Sequence, residues 1–106
     1  MAREPFSGHL DLMLLAALDS GPRHGYGVIE HIRQSSGGHF DYPEGTVYPA
    51  LHRLEADGLL HSAWSADGAR RRRVYAMTAR GRKALAGRRT QWERFAQSVT
   101  AVIESA

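Results

Sequence analysis

The segment PEGTVYPALHRLEADGLL, which runs from Pro43 to Leu60, decides the fold of this chain. Its apolar residues recur at helical spacing and share one face of a helix, namely Val47, Ala50, Leu51 and Leu54. The opposite face carries hydroxyl, aromatic, imidazole and guanidinium groups: Thr46, Tyr48, Pro49, His52 and Arg53. Because Asp57-Gly58 is a C-terminal signal, we expect the helix to end there and a strand to begin near Leu60.

Two interpretations of this polar face are open when the helix is taken alone. Hydrogen-bonding and flat side chains on one helical face suit the reading of base edges in a major groove of DNA. An ordinary solvent-exposed helix carries a similar mixture of side chains, and such helices are far more common. The segment that follows the helix therefore decides between the two.

That segment predicts a basic hairpin. Two strand-like runs, about 60–65 and 70–78, flank an Asp-Gly turn, which is a strong hairpin signal. Alternation directs Tyr75 and Met77 toward the core and crowds four arginines at the tip: Arg70, Arg71, Arg72 and Arg73. A run of charges is usually only solvated, but beside such a helix it suits contact with a DNA backbone or minor groove. We therefore predict an α+β, mainly α, winged helix-turn-helix fold in which the wing spans about 60–78.

Composition limits the class of protein. The 106 residues form one compact domain, and their net charge of +3 is unevenly distributed. Residues 1–69 hold four arginines and nine carboxylates, whereas residues 70–94 hold ten basic residues and one carboxylate. The positive block indicates a surface that faces a polyanion. We expect a cytoplasmic protein without a membrane partner, since the sequence contains no apolar run of membrane-spanning length, no secretory leader and no cysteine.

The chain before the decisive segment predicts two further helices. Residues 9–18 are apolar nearly all round, which is typical of a central core helix. A second helix opens at His24 and directs its apolar residues inward: Val28, Ile29 and Ile32. The glycines on both sides of Tyr26 weaken this helix by roughly 1 kcal/mol each relative to alanine, which a close approach of another surface would justify.

The end of the chain predicts a long helix. Thr78 is a reasonable N-cap, and residues 79–106 then form a C-terminal dimerisation helix that follows the DNA-binding region at residues 1–78. Its apolar stripe comprises Leu85, Trp92, Phe95, Ala96, Val99, Val102 and Ile103. Because so broad a stripe exceeds what a small core can cover, we expect a second copy of the chain to cover it.

Catalytic and metal-binding patterns are missing from the sequence. The six histidines do not form a pair at metal-ligand spacing beside a carboxylate, so we expect no metal site. There is no nucleophile with a recognisable base and no glycine-rich phosphate loop, so we expect neither an enzyme nor a cofactor.

The motifs of the chain resemble those of the PadR family of transcriptional regulators. The resemblance runs from about Leu10 to Val102 and is carried by HGYG at 24–27, GTVYPALHRLE at 45–55, GLL at 58–60, Trp64, RRRVY at 71–75 and residues 78–85. It implies a homodimeric repressor of the compact branch that binds a pseudo-palindromic operator in double-stranded DNA. Tyr26 resembles the tyrosine with which this family contacts phosphate at the start of the second helix. A packing role for Tyr26 stays open.

The resemblance also implies an effector. Some compact relatives are understood to take up aromatic drugs between paired terminal helices, so Trp92 is a candidate for stacking on a planar aromatic compound. The alternative function is a dimeric small-molecule or metal sensor in which ligand capture is the main activity.

Two further side chains leave alternatives open. Tyr48, with Thr46, is the first candidate for reading bases, and the alternative is that the ring of Tyr48 caps the core. Arg53 reaches a guanine or a phosphate in one interpretation, and in the other it pairs with Glu44, Glu55 or Asp57.

Overall fold

The computed structural model describes residues 9–65 and 71–105. Within these ranges four helices and three strands follow one another in the order α1 His9–Ala17, β1 Arg23–His24, α2 Gly25–Ser35, α3 Glu44–Ala56, β2 Leu60–Ser65, β3 Arg72–Met77 and α4 Ala79–Glu104. This arrangement is mainly helical with one small antiparallel sheet, so the predicted winged helix-turn-helix class is confirmed.

The core lies where α1, α2 and α3 meet. Leu14 and Leu15 of α1 are completely buried, as the apolar character of that helix predicts. The inward residues of α2 and α3 join them: Val28, Ile29, Ile32, Val47, Ala50, Leu51 and Leu54. The apolar face predicted for the decisive segment is therefore the buried face of α3, and its opposite face is exposed except for the half-buried Tyr48.

The ends of α3 follow from local backbone chemistry. Pro43 precedes the helix in an extended conformation, and Asp57 is its C-cap. Gly58 adopts a φ of +81°, and the N–H of Leu59 donates to the carbonyl of Leu54 at 3.0 Å. This is a Schellman motif, in which a left-handed glycine lets the chain turn back on the helix. The strand β2 then starts at Leu60, at the place that the sequence predicts.

The wing is built from β2 and β3, which pair with the register Leu60↔Met77, Ser62↔Tyr75 and Trp64↔Arg73. Tyr75 and Met77 are buried, as the alternation predicts. The predicted Asp-Gly turn lies at 66–69, outside the described residues. A two-residue strand, β1, pairs with the other edge of β3 and was not predicted, because two residues carry no periodicity.

The start of α4 is attached to the end of α3. Thr78 Oγ1 accepts from the N–H of Gly81 at 3.0 Å, which confirms the predicted N-cap, and donates to the carbonyl of Gly58 at 2.7 Å. A Cβ at Gly81 would collide with the carbonyl oxygen of Leu59. Glycine at this position therefore allows α4 to begin directly against the chain that leaves α3.

The first part of α4 packs against the core of its own chain, and the last part extends beyond that core. Leu85 is 3% exposed and belongs to the core of its own chain, so it offers little surface to a second copy, unlike the rest of the predicted stripe. The seven-residue repeat places Leu85 in the same row as Trp92 but does not reveal that the helix leaves the core between them. With 26 residues α4 is about 39 Å long. Its last part extends the molecule to 57 Å in one direction against 28 Å in the other two.

Among the helices of the described residues, none combines the length and the apolar character that crossing a bilayer requires.

Candidate nucleic-acid interface

A cleft of about 530 Å³ separates α3 from the wing, and we call it the wing cleft. Its lining brings together six of the side chains that the sequence predicts to contact DNA: Tyr26, Tyr48, His52, Arg71, Arg72 and Arg73. They come from three separate parts of the chain, namely the start of α2, the exposed face of α3 and the strand β3. The wing cleft is therefore a concave surface rimmed by aromatic rings on one side and guanidinium groups on the other.

Tyr48 combines the two roles that the sequence left open. Its ring is half-buried and lies over the backbone of Gly25, at the first residue of α2. A Cβ built on Gly25 would lie 2.7 Å from Cζ and 2.9 Å from the hydroxyl of Tyr48. The close approach predicted for the glycine pair thus holds for Gly25. It does not hold for Gly27, where a Cβ would meet only the Cβ of Arg23 at 3.6 Å.

Tyr26 is 57% exposed in the first turn of α2 and faces the wing cleft. His24 is the N-cap of this helix, and its side chain makes no capping hydrogen bond. The Nδ1 atom of His24 is buried without a hydrogen-bond partner among the described residues. A helix N-terminus attracts phosphate, so this corner of the cleft combines the phenol of Tyr26 with the start of a helix that has no side-chain cap.

The arginines of the wing are arranged by Trp64, which the sequence did not identify as a site residue. The guanidinium carbons of Arg71 and Arg73 lie 5.1 and 5.2 Å from the centre of the indole. Both contacts are cation–π pairs, which favour ordered guanidinium groups over freely moving ones. Trp64 lies opposite Arg73 in the β2–β3 pairing. The contact therefore follows from the register of the hairpin, which the sequence alone does not give.

A hydrogen-bonded chain ties the wing to α3. Arg73 Nε donates to Ser62 Oγ at 2.7 Å, and Ser62 Oγ donates to Glu55 Oε2 at 2.7 Å. Arg71 and Arg72 are exposed, and Arg70 lies outside the described residues. Among the described arginines of the run, Arg73 is thus the one that is hydrogen-bonded to the neighbouring strand.

Three predicted residues of α3 lie outside the wing cleft. Thr46, Pro49 and Arg53 are exposed, but none of them lines it. Arg53 turns toward α1 and binds both carboxylate oxygens of Asp11, with distances of 2.7 and 2.9 Å. The pairing of Arg53 with Glu44, Glu55 or Asp57 is therefore wrong, because the residue that receives its guanidinium is 42 positions away in the sequence.

Asp11 also receives Nη1 of Arg88 from α4, at 3.4 Å. Burial raises the pKa of this carboxyl group, but the hydrogen bonds and charges of Arg53 and Arg88 outweigh burial and leave the pKa below its usual value. Asp11 is therefore charged throughout the neutral range and connects α1 to both α3 and α4.

The last part of α4 exposes a second surface, which we call the apolar face. It comprises Trp92, Phe95, Val99, Val102 and Ile103, which are between 36% and 72% exposed, with Ala96 partly buried beside them. The ring of His9 meets Trp92 edge to face, with 4.8 Å between centroids, and Phe95 lies 6.0 Å from Trp92. Large apolar side chains at this density mark an interaction surface.

Within residues 9–65 and 71–105, no three histidine, aspartate or glutamate side chains are grouped so that they could hold a metal ion.

Comparison with known proteins agrees with this geometry. Residues 14–87 match the family described as "Transcriptional regulator PadR-like family". Over 55 residues, the chain is 53% identical to the transcriptional regulator Rv3488 of Mycobacterium tuberculosis, covering 52% of this chain and 51% of that protein. The match therefore spans about half the length of that relative.

Solved structures resemble the whole fold. A transcriptional regulator from Clostridium thermocellum, Cth-833, superposes with a TM-score of 0.83 at 26% identity, covering 94% of this chain and 95% of that one. A PadR family transcription regulator from Clostridium difficile R20291 superposes with a TM-score of 0.75 at 30% identity, covering 87% and 94%.

Proposed function

The chain belongs to the PadR-like family of transcriptional regulators, which is not a family of enzymes, and we propose that it acts as a homodimeric repressor. Each protomer inserts α3 into a major groove and lays its wing along the neighbouring backbone. The two protomers then occupy the halves of a pseudo-palindromic operator. Since the target is chromosomal DNA, the proposed location is the cytoplasm.

The wing cleft carries this proposal, because it places rings from α2 and α3 opposite an arginine cluster. Tyr48 and His52 lie on the side of α3 that faces the wing, so they reach base edges when the helix enters the groove. Thr46 and Pro49 sit on the exposed surface of the same helix and complete its contact with the groove. Tyr26 and the wing arginines bind the phosphates on either side, which fixes the position of the helix without reading sequence.

The apolar face of α4 supports the dimer. Its five large apolar side chains extend beyond the core of their own chain, and a second α4 would cover them. Dimers of winged helices bind half-sites whose centres are about one helical turn apart, so the helix that joins two protomers also sets the spacing of the operator. The proposed boundary between the DNA-binding region and the dimerisation helix lies at Thr78, where α4 begins.

The test is selection of bound fragments from the host genome, followed by affinity measurements on the selected operator and on random duplex. Thr46→Val and Tyr48→Ala should each weaken operator binding by about 1–3 kcal/mol and leave random DNA nearly unaffected. Thr90→Val is a matched control, because Thr90 is an exposed residue of α4 that hydrogen-bonds only within its helix. A protein that binds every duplex equally would contradict the proposed repressor.

A second candidate function rests on Trp92, whose indole is 40% exposed beside His9 and Phe95. In a dimer, two such rings near the symmetry axis leave a slot in which a planar aromatic compound stacks. The ligand changes DNA affinity only if it binds the two states of the dimer unequally. In a Trp64→Phe variant Trp92 is the only indole, and planar cationic or phenolic compounds should quench its fluorescence at micromolar levels. Quenching that leaves operator affinity unchanged would exclude an effector role.

A further inference from the structure

Asp11 occupies the point where three helices meet. It lies in the first turn of α1, where a carboxylate also interacts favourably with the helix dipole. One of its oxygens binds Arg53 of α3, and the other is shared between Arg53 and Arg88 of α4. The two arginines are 42 and 77 positions away in sequence, so the tertiary fold alone brings these charges together.

The geometry distinguishes this cluster from ordinary surface ion pairs. The Asp11 side chain is only 13% exposed, although those of Arg53 and Arg88 are 52% and 36% exposed. The pairing with Arg53 is bidentate: both terminal guanidinium nitrogens donate to the two carboxylate oxygens. Bidentate pairs add geometric specificity to the attraction between the charges. Loss of the carboxylate would leave two guanidinium groups close together without a counter-charge.

The cluster also decides what Arg53 can do. Both terminal nitrogens of its guanidinium are engaged by Asp11, so the group is aimed along the surface toward α1 and away from the wing cleft. Arg53 is the residue after His52 and lies five residues, about 1.4 turns, after Tyr48 on the same helix. The ion pair with Asp11 therefore adds a restraint on α3 next to His52, beside the apolar contacts that hold the helix on the core.

We propose that Asp11 is a positioning residue for operator recognition, holding α3 in its DNA-reading orientation through Arg53 and linking that orientation to α4 through Arg88. The proposal rests on the proposed DNA-binding function. In it, Arg53 acts within the protein rather than on the operator. A displacement of α4 in the dimer moves Arg88 relative to the carboxylate oxygen that it shares with Arg53, and so changes the ion pair that holds Arg53.

The test compares four single variants and one double variant by affinity for the operator and for random duplex, each over a range of salt concentrations. Asp11→Asn keeps the shape and removes the charge, and Arg53→Lys keeps the charge but cannot pair with both oxygens. Arg53→Gln removes the charge of the partner. Asp19→Asn is the matched control, because Asp19 follows the other end of α1 and reaches Arg89 of α4 only at 4.0 Å, with both side chains more than half exposed.

We expect Asp11→Asn, Arg53→Lys and Arg53→Gln each to weaken operator binding about tenfold, a magnitude within the usual range of coupling between contacting residues. Binding to random duplex and the salt dependence should stay as in the wild type. The double variant Asp11→Asn, Arg53→Gln should lose no more than either single variant, because both remove the same contact. Asp19→Asn should bind as the wild type does.

Direct contact between Arg53 and DNA predicts a different pattern and would overturn the proposal. For a phosphate contact, Arg53→Lys would bind nearly normally and Arg53→Gln would lower the salt slope by roughly 0.9. For a base contact, the losses from Asp11→Asn and Arg53→Gln would add. If a thermal melt shows that Asp11→Asn does not fold, the DNA affinities of Arg53→Lys and Arg53→Gln, which change an exposed side chain, decide between the two interpretations of Arg53. If the wild type binds operator and random duplex equally, the proposed function itself is contradicted, and not only the role of Asp11.

Discussion

Gly25→Ala should destabilise this protein, although alanine is normally the better residue in a helix. The added Cβ would lie 2.7 Å from Tyr48 Cζ, whereas carbon atoms in contact prefer about 3.5–4.0 Å. The ring must therefore move by about 1 Å or rotate out of its place. Overpacking of this kind costs about 1–3 kcal/mol, and removing a helical glycine returns about 0.5–1 kcal/mol. We expect a net loss of about 1 kcal/mol in the free energy of unfolding.

Gly27→Ala is the matched control for this prediction. It lies two residues along the same helix, and its Cβ would make only an ordinary contact with Arg23 at 3.6 Å. It should therefore raise the free energy of unfolding by about 0.5–1 kcal/mol. The free energies of unfolding of the two variants, measured by urea denaturation, should differ by about 1.5–2 kcal/mol, which is the loss expected for Gly25→Ala plus the gain expected for Gly27→Ala.

A second substitution, Tyr48→Ala, tests whether contact with the ring of Tyr48 causes the expected destabilisation by Gly25→Ala. In a Tyr48→Ala background, Gly25→Ala should lose its penalty and become as favourable as Gly27→Ala, because the three atoms nearest to the added Cβ all belong to the ring of Tyr48. In the wild-type background, Gly25→Ala should also weaken operator binding, because the ring of Tyr48 that it displaces lines the wing cleft. Equal stability of Gly25→Ala and Gly27→Ala would refute the packing argument.

Three other changes test other parts of the molecule. Replacing Arg71, Arg72 and Arg73 together by alanine should weaken operator and random DNA alike and lower the salt slope by roughly 0.9 per lost phosphate contact, whereas an unchanged slope would exclude the wing. Ending the chain at Gly87 removes the apolar face, whose larger side chains are worth about 1.5–3 kcal/mol each on burial. The product should sediment as a monomer or unfold, and a stable truncated dimer would contradict the proposed interface. Because the pKa of Asp11 is lowered in the folded state, its stabilising effect is present above about pH 3.8 and is lost as the pH falls through the lower, folded-state pKa. Asp11→Asn should therefore reduce the acid sensitivity of unfolding, and an unchanged acid profile would show that the carboxylate contributes nothing.

Local patterns in the sequence predict the elements that depend on neighbouring residues. The buried face of α3 follows from its spacing, its end follows from Gly58, and the inward residues of β3 follow from alternation. Each of these depends on a few consecutive residues whose backbone chemistry is independent of the rest of the chain. The same is true of the N-cap at Thr78.

The features that were missed depend on the tertiary fold. The partner of Arg53 is Asp11, and nothing in the periodicity of either helix relates the two. Trp64 joins the arginines only because the hairpin register sets it opposite Arg73. Leu85 shows the limit of a helical repeat, which identifies residues on one side of a helix but not whether each of them lies in the core of its own chain.

Two connections join α4 to α3, one direct and one through Asp11 of α1, and together they relate the proposed dimer to the proposed DNA contact. At one, Thr78 binds the carbonyl of Gly58, so the first turn of α4 is fixed to the end of α3. At the other, Arg88 and Arg53 meet at Asp11, about ten residues further along α4. A rigid helix held at two points cannot tilt without straining one of them. A partner that changes the tilt of α4 at its apolar face must therefore also act on the orientation of α3.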